Sequence, residues 1–151
     1  MKDSIEVVTS EAAGQLAEIE AECFQHPLEK RQIPRLLEDG TTCFLAARDG
    51  EVLTGSVWVQ TVLDEGYIGN VAVRPAYRRR GIADALLEAL DRLAGERGLS
   101  FLTLEVRSSN RPAVSLYEKH GYARVGLRPA YYSDPREDAV LMSKYWKQEK
   151  P

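Results

Sequence analysis

The segment from Val71 to Ala83, Val-Ala-Val-Arg-Pro-Ala-Tyr-Arg-Arg-Arg-Gly-Ile-Ala, constrains this chain more than any other. It reads as a short apolar strand, a basic turn, one glycine and the first turn of an amphipathic helix. Arg78, Arg79 and Arg80 sit just before that helix, whose N-terminus already carries about half a positive charge. Three cations there are unfavourable unless an anion joins them, held by free backbone N–H groups. Gly81 allows the backbone an approach to a ligand that a Cβ would block. Two readings stand: a diphosphate site, or a solvated basic turn with a glycine for geometry.

The rest of the chain places this segment in a mixed α/β sheet. Ile5 to Val8 is a strand. Ser10 is expected to cap a helix with Leu16, Ile19, Cys23 and Phe24 at helical spacing, broken by His26-Pro27. A second helical piece runs toward Leu37 and stops at Gly40, with Pro34 predicting a kink or a split. Thr42–Ala47 and Val52–Val62 form a hairpin across Asp49-Gly50. A turn around Asp64-Glu65-Gly66 leads to a strand from Tyr67 to Val73. Ile82 to Ala94 is a helix with Ile82, Leu86, Leu90 and Leu93 on one stripe, ended near Gly98. Phe101 to Arg107 is a strand. Asn110 caps a helix from Arg111 to His120, closed by Gly121. Two last strands, near Tyr122–Leu127 and Asp138–Tyr145, flank a loop holding Tyr131 and Tyr132. The order β-α-α-β-β-β-α-β-α-β-β predicts a mixed sheet with helices on its faces.

Composition narrows the class. The 151 residues suit one domain, and 44% hydrophobic content is that of an ordinary globule. A net charge of −3 argues against a general nucleic-acid binder and is mildly suited to a cationic partner. Cys23 and Cys43 lack metal or CxxC spacing and read as buried thiols rather than a disulfide. No apolar run is long enough for a membrane span or a signal peptide, so a cytoplasmic enzyme or binding domain is expected.

Few side chains are candidates for chemistry. On the strand Phe101-Leu-Thr-Leu-Glu-Val-Arg107, Leu102, Leu104 and Val106 face one way and Glu105 the other. A carboxylate near the end of such a strand is paired, solvated or useful; an ion pair with Arg107 or another cation is the plain alternative. Tyr117 shares a stripe with Ala113, Leu116 and His120. It reads either as core or as a proton donor whose usual pKa of about 10 would match a departing thiolate. His26 and His120 form no catalytic pattern, and no metal-ligand cluster occurs.

These residues together resemble the GNAT superfamily of N-acetyltransferases. Arg78-Arg-Arg-Gly-Ile-Ala83 is similar to its R/Q-x-x-G-x-G/A acetyl-CoA motif. Leu104-Glu-Val-Arg-Ser-Ser-Asn110, Ala113, Leu116-Tyr117 and Gly121-Tyr122 resemble the RimI-type branch, as do Arg128-Pro-Ala-Tyr131-Tyr132, Glu137-Asp138-Ala139 and Met142. Members of that branch acetylate protein N-termini, the namesake that of a small-subunit ribosomal protein beginning with alanine.

The resemblance implies one acetyltransferase domain over 1–151, built on a mostly antiparallel sheet splayed where acetyl-CoA binds. It implies Glu105 as general base and Tyr117 as general acid. Val71, Ala72 and Val73 would hold the thioester and pantetheine, Arg78, Arg79, Arg80, Gly81, Ile82 and Ala83 the diphosphate, and Asn110 the pantetheine. Asn70, Tyr131 and Tyr132 fall on the acceptor side. No metal, nucleic acid or membrane partner is implied. The chain departs from the family where Pro-Trp-Ser/Thr is usual and Pro27-Leu28-Glu29 stands here, in a region lining the acceptor groove. A small-molecule amine acetyltransferase and a non-catalytic acetyl-CoA-binding module remain as alternatives. The module is the weaker, since binding alone needs neither Glu105 nor Tyr117.

Overall fold

A computed structural model describes residues 4–38 and 40–146. Strand β1 (Ser4–Val8) leads through a 3-10 turn (Ser10–Ala12) to α1 (Ala13–Cys23) and α2 (Gln32–Leu37). Strands β2 (Thr42–Asp49), β3 (Val52–Val62) and β4 (Glu65–Val73) follow, then α3 (Ile82–Arg97), β5 (Phe101–Arg107), α4 (Arg111–Lys119), β6 (Ala123–Tyr132) and β7 (Glu137–Tyr145). The element order is the one read from the sequence. One seven-stranded sheet has the order β1-β2-β3-β4-β5-β7-β6. Every neighbouring pair is antiparallel except β4 and β5.

The parallel pair positions the site. Its ladder joins only Glu65–Tyr67 to Phe101–Thr103. Beyond Tyr67 and Thr103 the two strands part, so the later halves of β4 and β5 border an open wedge in mid-sheet. A bulge adds to the distortion. Pairing steps from Val57↔Val71 to Val59↔Ile68, which sets Gly69 and Asn70 against Trp58 alone. Such an extra residue bends its strand and leaves backbone groups outside the ladder. Gly69 fits because a Cβ there would lie 2.0 Å from the Trp58 ring.

Side-chain alternation builds a core on each face. On β2, Cys43, Leu45 and Ala47 join Leu86, Leu90 and Met142 in one cluster, while Phe44 and Ala46 join Leu16, Ile19 and Ile33 in the other. Each fully buried leucine or isoleucine contributes about 1.5–3 kcal/mol. Helices α3 and α4 cover the first face, and α1 and α2 the second. On β5 the predicted alternation holds, with Leu102, Leu104 and Val106 buried and Glu105 half-buried.

Four local expectations are corrected. Ser10 makes no side-chain cap; it lies within the 3-10 turn, where Ala12 N–H bonds Thr9 O at 2.9 Å. Pro34 neither kinks nor splits α2, because it is the third residue of that helix, where an N–H would have no helical acceptor. Gly66 and Glu65 belong to β4 rather than to a turn, drawn in by pairing with Leu102 and Phe101. Tyr131 and Tyr132 end β6 rather than lying in a loop, since Tyr132 pairs with Glu137. Asn110 does cap α4, its Oδ1 accepting from Ala113 N at 3.3 Å, and Gly98 closes α3 in the left-handed region.

Candidate active site

The wedge opens into a cavity of about 560 Å³. Val71, Ala72 and Val73 form one wall, the turn Arg78, Arg79, Gly81, Ile82 and Ala83 a second, and Asn110 and Tyr117 of the α4 segment a third. Ten residues singled out from the sequence thus meet in one place. The turn has the geometry an anion needs. Gly81 has φ +79 and Arg79 φ +67, so the backbone doubles back before α3, and no side chain caps that helix. A Cβ on Gly81 would meet nothing within 4 Å. Positive φ, rather than local crowding, is what asks for glycine here. Arg78 reaches back, its Nε donating to Val73 O at 3.0 Å. Asn110 spends its oxygen on the cap, so it has its Nδ2 group to offer a ligand.

Arg80 does not line this cavity. Its guanidinium sits over the Tyr77 ring at 5.2 Å, and it lines an adjoining hollow with Arg48 and Glu88 that shares Gly81, Ile82 and Asp84 with the cavity. Asp84, in the first turn of α3, is held by His120 Nε2 at 2.7 Å and Lys119 Nζ at 3.1 Å. The His120 contact draws its carboxyl below the usual range. These partners offset an anion that would otherwise repel a diphosphate at the same helix end. His120, to which the sequence assigned no role, therefore helps shape the electrostatics of the turn.

The chemical groups stand across the wedge. Glu105 pairs with Arg128 at 3.7 Å, not with Arg107; Arg128 is exposed and Glu105 half-buried. Such an open pair is worth less than about 1 kcal/mol, so an incoming amine can displace the guanidinium. Arg107 instead joins Glu137 at 3.2 Å and lies 4.4 Å over the Tyr132 ring. Glu137 also accepts from Ser109 N at 2.6 Å and from Ser108 Oγ at 3.2 Å. The Ser109 side chain leads the causes that pull its carboxyl down to about 2, with the Ser109 N–H, Arg107 and Ser108 adding to it. This clamp ties the start of β7 to the residues just before Asn110.

Tyr117 is buried, its ring edge-on to Tyr122 at 5.8 Å. Burial pushes its phenol well above the usual tyrosine range, with Tyr132 adding to the effect. A phenol raised in this way stays a protonated donor at neutral pH. Burial also raises Tyr132, to about 12, with Tyr131 and then Glu105 contributing. Tyr131 stacks edge-on against Tyr132 at 5.0 Å and has Arg128 5.6 Å from its ring.

Helix α1 supplies residues the sequence reading left in the core. Cys23 and Phe24 line the cavity, and Cys23 Sγ donates to Val73 O at 3.3 Å. Arg74, buried at the exit of β4, donates to Leu53 O at 2.6 Å and pairs with Glu22 at 2.7 Å and Glu18 at 3.1 Å. Asn70 donates through Nδ2 to Glu20. The visible signal for Glu20 was a carboxylate four residues after Leu16 on an apolar stripe. Among the described residues no group of three or more acidic, histidine or cysteine side chains is placed to hold a metal, and no helix is long and apolar enough to cross a membrane.

A wedge between diverging parallel strands, an uncapped helix end and a glycine turn thus line one cavity in a mixed α/β sheet. The chain belongs to the acetyltransferase (GNAT) family, whose profile matches residues 13–122, and it is an acetyl-CoA-dependent N-acetyltransferase. The ribosomal protein bS18-alanine N-acetyltransferase of Escherichia coli (strain K12) is 41% identical over 102 residues, 66% of this chain and 68% of the relative. A Bacillus subtilis (strain 168) protein, given that same activity provisionally, is 36% identical over 126 residues, 83% of each chain. The crystal structure of the E. coli ribosomal-protein-S18-alanine N-acetyltransferase superposes with a TM-score of 0.90 at 29% identity, covering 98% of this chain and 96% of that one. At 15% identity, a Salmonella typhimurium acetyltransferase structure holding acetyl-CoA shares the fold, with a TM-score of 0.85 over 100% of this chain and 98% of its own.

Proposed function

We propose that residues 1–151 are one catalytic domain that acetylates the N-terminal α-amine of a protein, the N-terminal alanine of a small-subunit ribosomal protein being the favoured acceptor. The reaction would take place in the cytoplasm by direct transfer. Acetyl-CoA lies along Val71–Val73 with its diphosphate at Arg78, Arg79 and Gly81–Ala83. Backbone N–H groups of β4 freed by the bulge polarise the acetyl carbonyl. Glu105 takes one proton from the acceptor ammonium, leaving a neutral amine that attacks, and Tyr117 protonates the leaving sulfur. The amine nitrogen gains the C–N bond as the C–S bond breaks; its second proton returns through solvent to the Tyr117 oxygen, and Glu105 releases its own proton to solvent.

The observation that supports this reading is the cavity at the splayed strands, where Val71–Val73, the Gly81 turn, Asn110 and Tyr117 meet. Free-energy differences favour an α-amine there. Its pKa is about 7.7–8.0, against about 10.4 for lysine and 4.3 for a glutamate. Proton transfer to an ordinary glutamate is uphill by about 5 kcal/mol from an α-ammonium and about 8 from lysine. The gap is worth more than a hundredfold. The bS18-alanine activity of the relatives supports the same acceptor class.

The test is acetyl transfer to peptides that begin with alanine and contain an internal lysine, read by mass spectrometry beside N-terminally blocked copies and a polyamine. Acetylation only of free N-termini is expected. Equal kcat/KM on the blocked peptide or the polyamine would replace this reading by the small-molecule or lysine one.

A further inference from the structure

Glu20 is the one carboxylate of the second core cluster's helix that is almost wholly enclosed, at 2% exposure. It stands on the same face of α1 as Leu16 and Ile19, both fully buried. Its oxygens accept from Leu28 N at 3.1 Å and from Asn70 Nδ2 at 3.3 and 3.2 Å, and no ion pair reaches it among the described residues. Burial pushes its carboxyl above the usual range. A buried carboxylate held by two neutral donors costs stability that an apolar side chain would not. What it provides is a link among three segments: α1, the connection to α2 at Leu28, and β4 at its bulge. Leu28 belongs to the stretch where this chain departs from the family. Asn70 directly precedes the Val71–Val73 wall.

The link also settles which way the Asn70 amide faces. An amide has a donor end and an acceptor end, and a carboxylate selects the donor. With Nδ2 committed to Glu20, the group that the half-buried Asn70 has to offer is its carbonyl oxygen, which accepts N–H donors only. An amine or a peptide N-terminus presents such donors.

We propose that Glu20 is a positioning residue for the acceptor: it orients Asn70 so that Oδ1 receives an N–H of the incoming chain beside the bulge. The proposal rests on the amine-acceptor reading above. Glu20→Gln retains the bond to Leu28 but turns a donor toward Asn70. The Asn70 Nδ2 then loses its Oε2 partner and keeps only Oε1, so the amide is no longer held with its oxygen toward the acceptor. The acceptor KM is expected to rise about tenfold, while acetyl-CoA Kd, measured by calorimetry, stays within twofold. Adding Asn70→Asp to Glu20→Gln restores a donor–acceptor pair of reversed sense, with an oxygen again facing the acceptor, and should return KM to within about threefold of wild type. Should Glu20→Gln fail to fold, as judged by melting, Asn70→Ala removes the oxygen without touching Glu20 and should give the same KM rise. An unchanged acceptor KM in the folded single variant, or a double variant no better than Glu20→Gln, would overturn the proposal. The two readings fail separately: wild-type turnover on a polyamine alone would remove the peptide acceptor, while the same set of variants assayed on that polyamine would still report on Glu20.

Discussion

The two sides of the wedge are built by different means. The proposed acetyl-CoA side is thirteen consecutive residues, Val71–Ala83, and its working groups are backbone: the strand after a bulge, a turn with two positive-φ residues and an uncapped helix end. The proposed acceptor side is assembled from side chains far apart in sequence. Glu20, Asn70, Glu105, Arg128 and Tyr132 come from α1, β4, β5 and β6, joined by contacts such as Glu20–Asn70 and Glu105–Arg128. Backbone sites made by a local segment tolerate many side chains and depend on a few glycines. Side-chain sites depend on each group and on what orients it. Substitutions should therefore divide by side: changes on the first should affect acetyl-CoA affinity, and changes on the second turnover and acceptor KM.

Glu105→Gln should divide them most sharply. It keeps the shape and removes the basicity, so turnover should fall by about two to four orders of magnitude with acetyl-CoA Kd unchanged. Steady-state rates at saturating substrate beside calorimetric titrations check this; wild-type turnover would leave Glu105 as an ion-pair residue for Arg128. Gly81→Val should do the opposite. A β-branched residue at φ +79 is strained by about 1–3 kcal/mol. Relief of that strain distorts the turn, so acetyl-CoA Kd should weaken by at least about tenfold while a far-ultraviolet spectrum stays native. Equal affinity would detach the diphosphate from this turn.

That asymmetry also explains what could be read from the chain alone. A strand, a basic turn, Gly81 and a helix carry their meaning in adjacent positions, so their joint site was visible as a pattern. The Leu102/Leu104/Val106 alternation likewise exposed Glu105. Arg128 was beyond such reading, because it meets Glu105 only through the β5-β7-β6 pairing. The pairing also drew Tyr131 and Tyr132 into β6. Tyr117 was legible as a position but not in its acidity, since burial is a property of the packed molecule. Arg80 lines the hollow that adjoins the cavity across Gly81, Ile82 and Asp84, a placement that only the folded turn reveals.

Smaller effects sharpen the comparison where the two sides join. Asn110→Ala removes the cap of α4, and chemical denaturation should show a loss of about 1 kcal/mol; no loss would mean that the Ala113 N–H bond contributes little. Glu137 ties β7 to Ser109 and Arg107 with a carboxyl held near 2, below its unfolded value of about 4.3. A depressed carboxyl adds stability above the unfolded pKa and loses it as pH falls through the folded one. The stability difference between wild type and Glu137→Gln should thus be constant above about pH 5 and shrink progressively toward pH 2. A difference that persists unchanged in acid would assign the clamp to the shape of the side chain rather than its charge.

The most direct measurement is a two-step amide NMR titration of the whole chain, first with coenzyme A and then with a peptide beginning with alanine. Coenzyme A should move the amides of Val71–Val73 and Gly81–Asp84 while leaving most of the β6–β7 hairpin in place. The peptide should then move Asn70, Leu28, Tyr131 and Tyr132. Coenzyme A shifts centred on Arg48, Arg80 and Glu88, or peptide shifts confined to the Val71–Ala83 segment, would contradict a wedge that receives the donor on one side and the acceptor on the other.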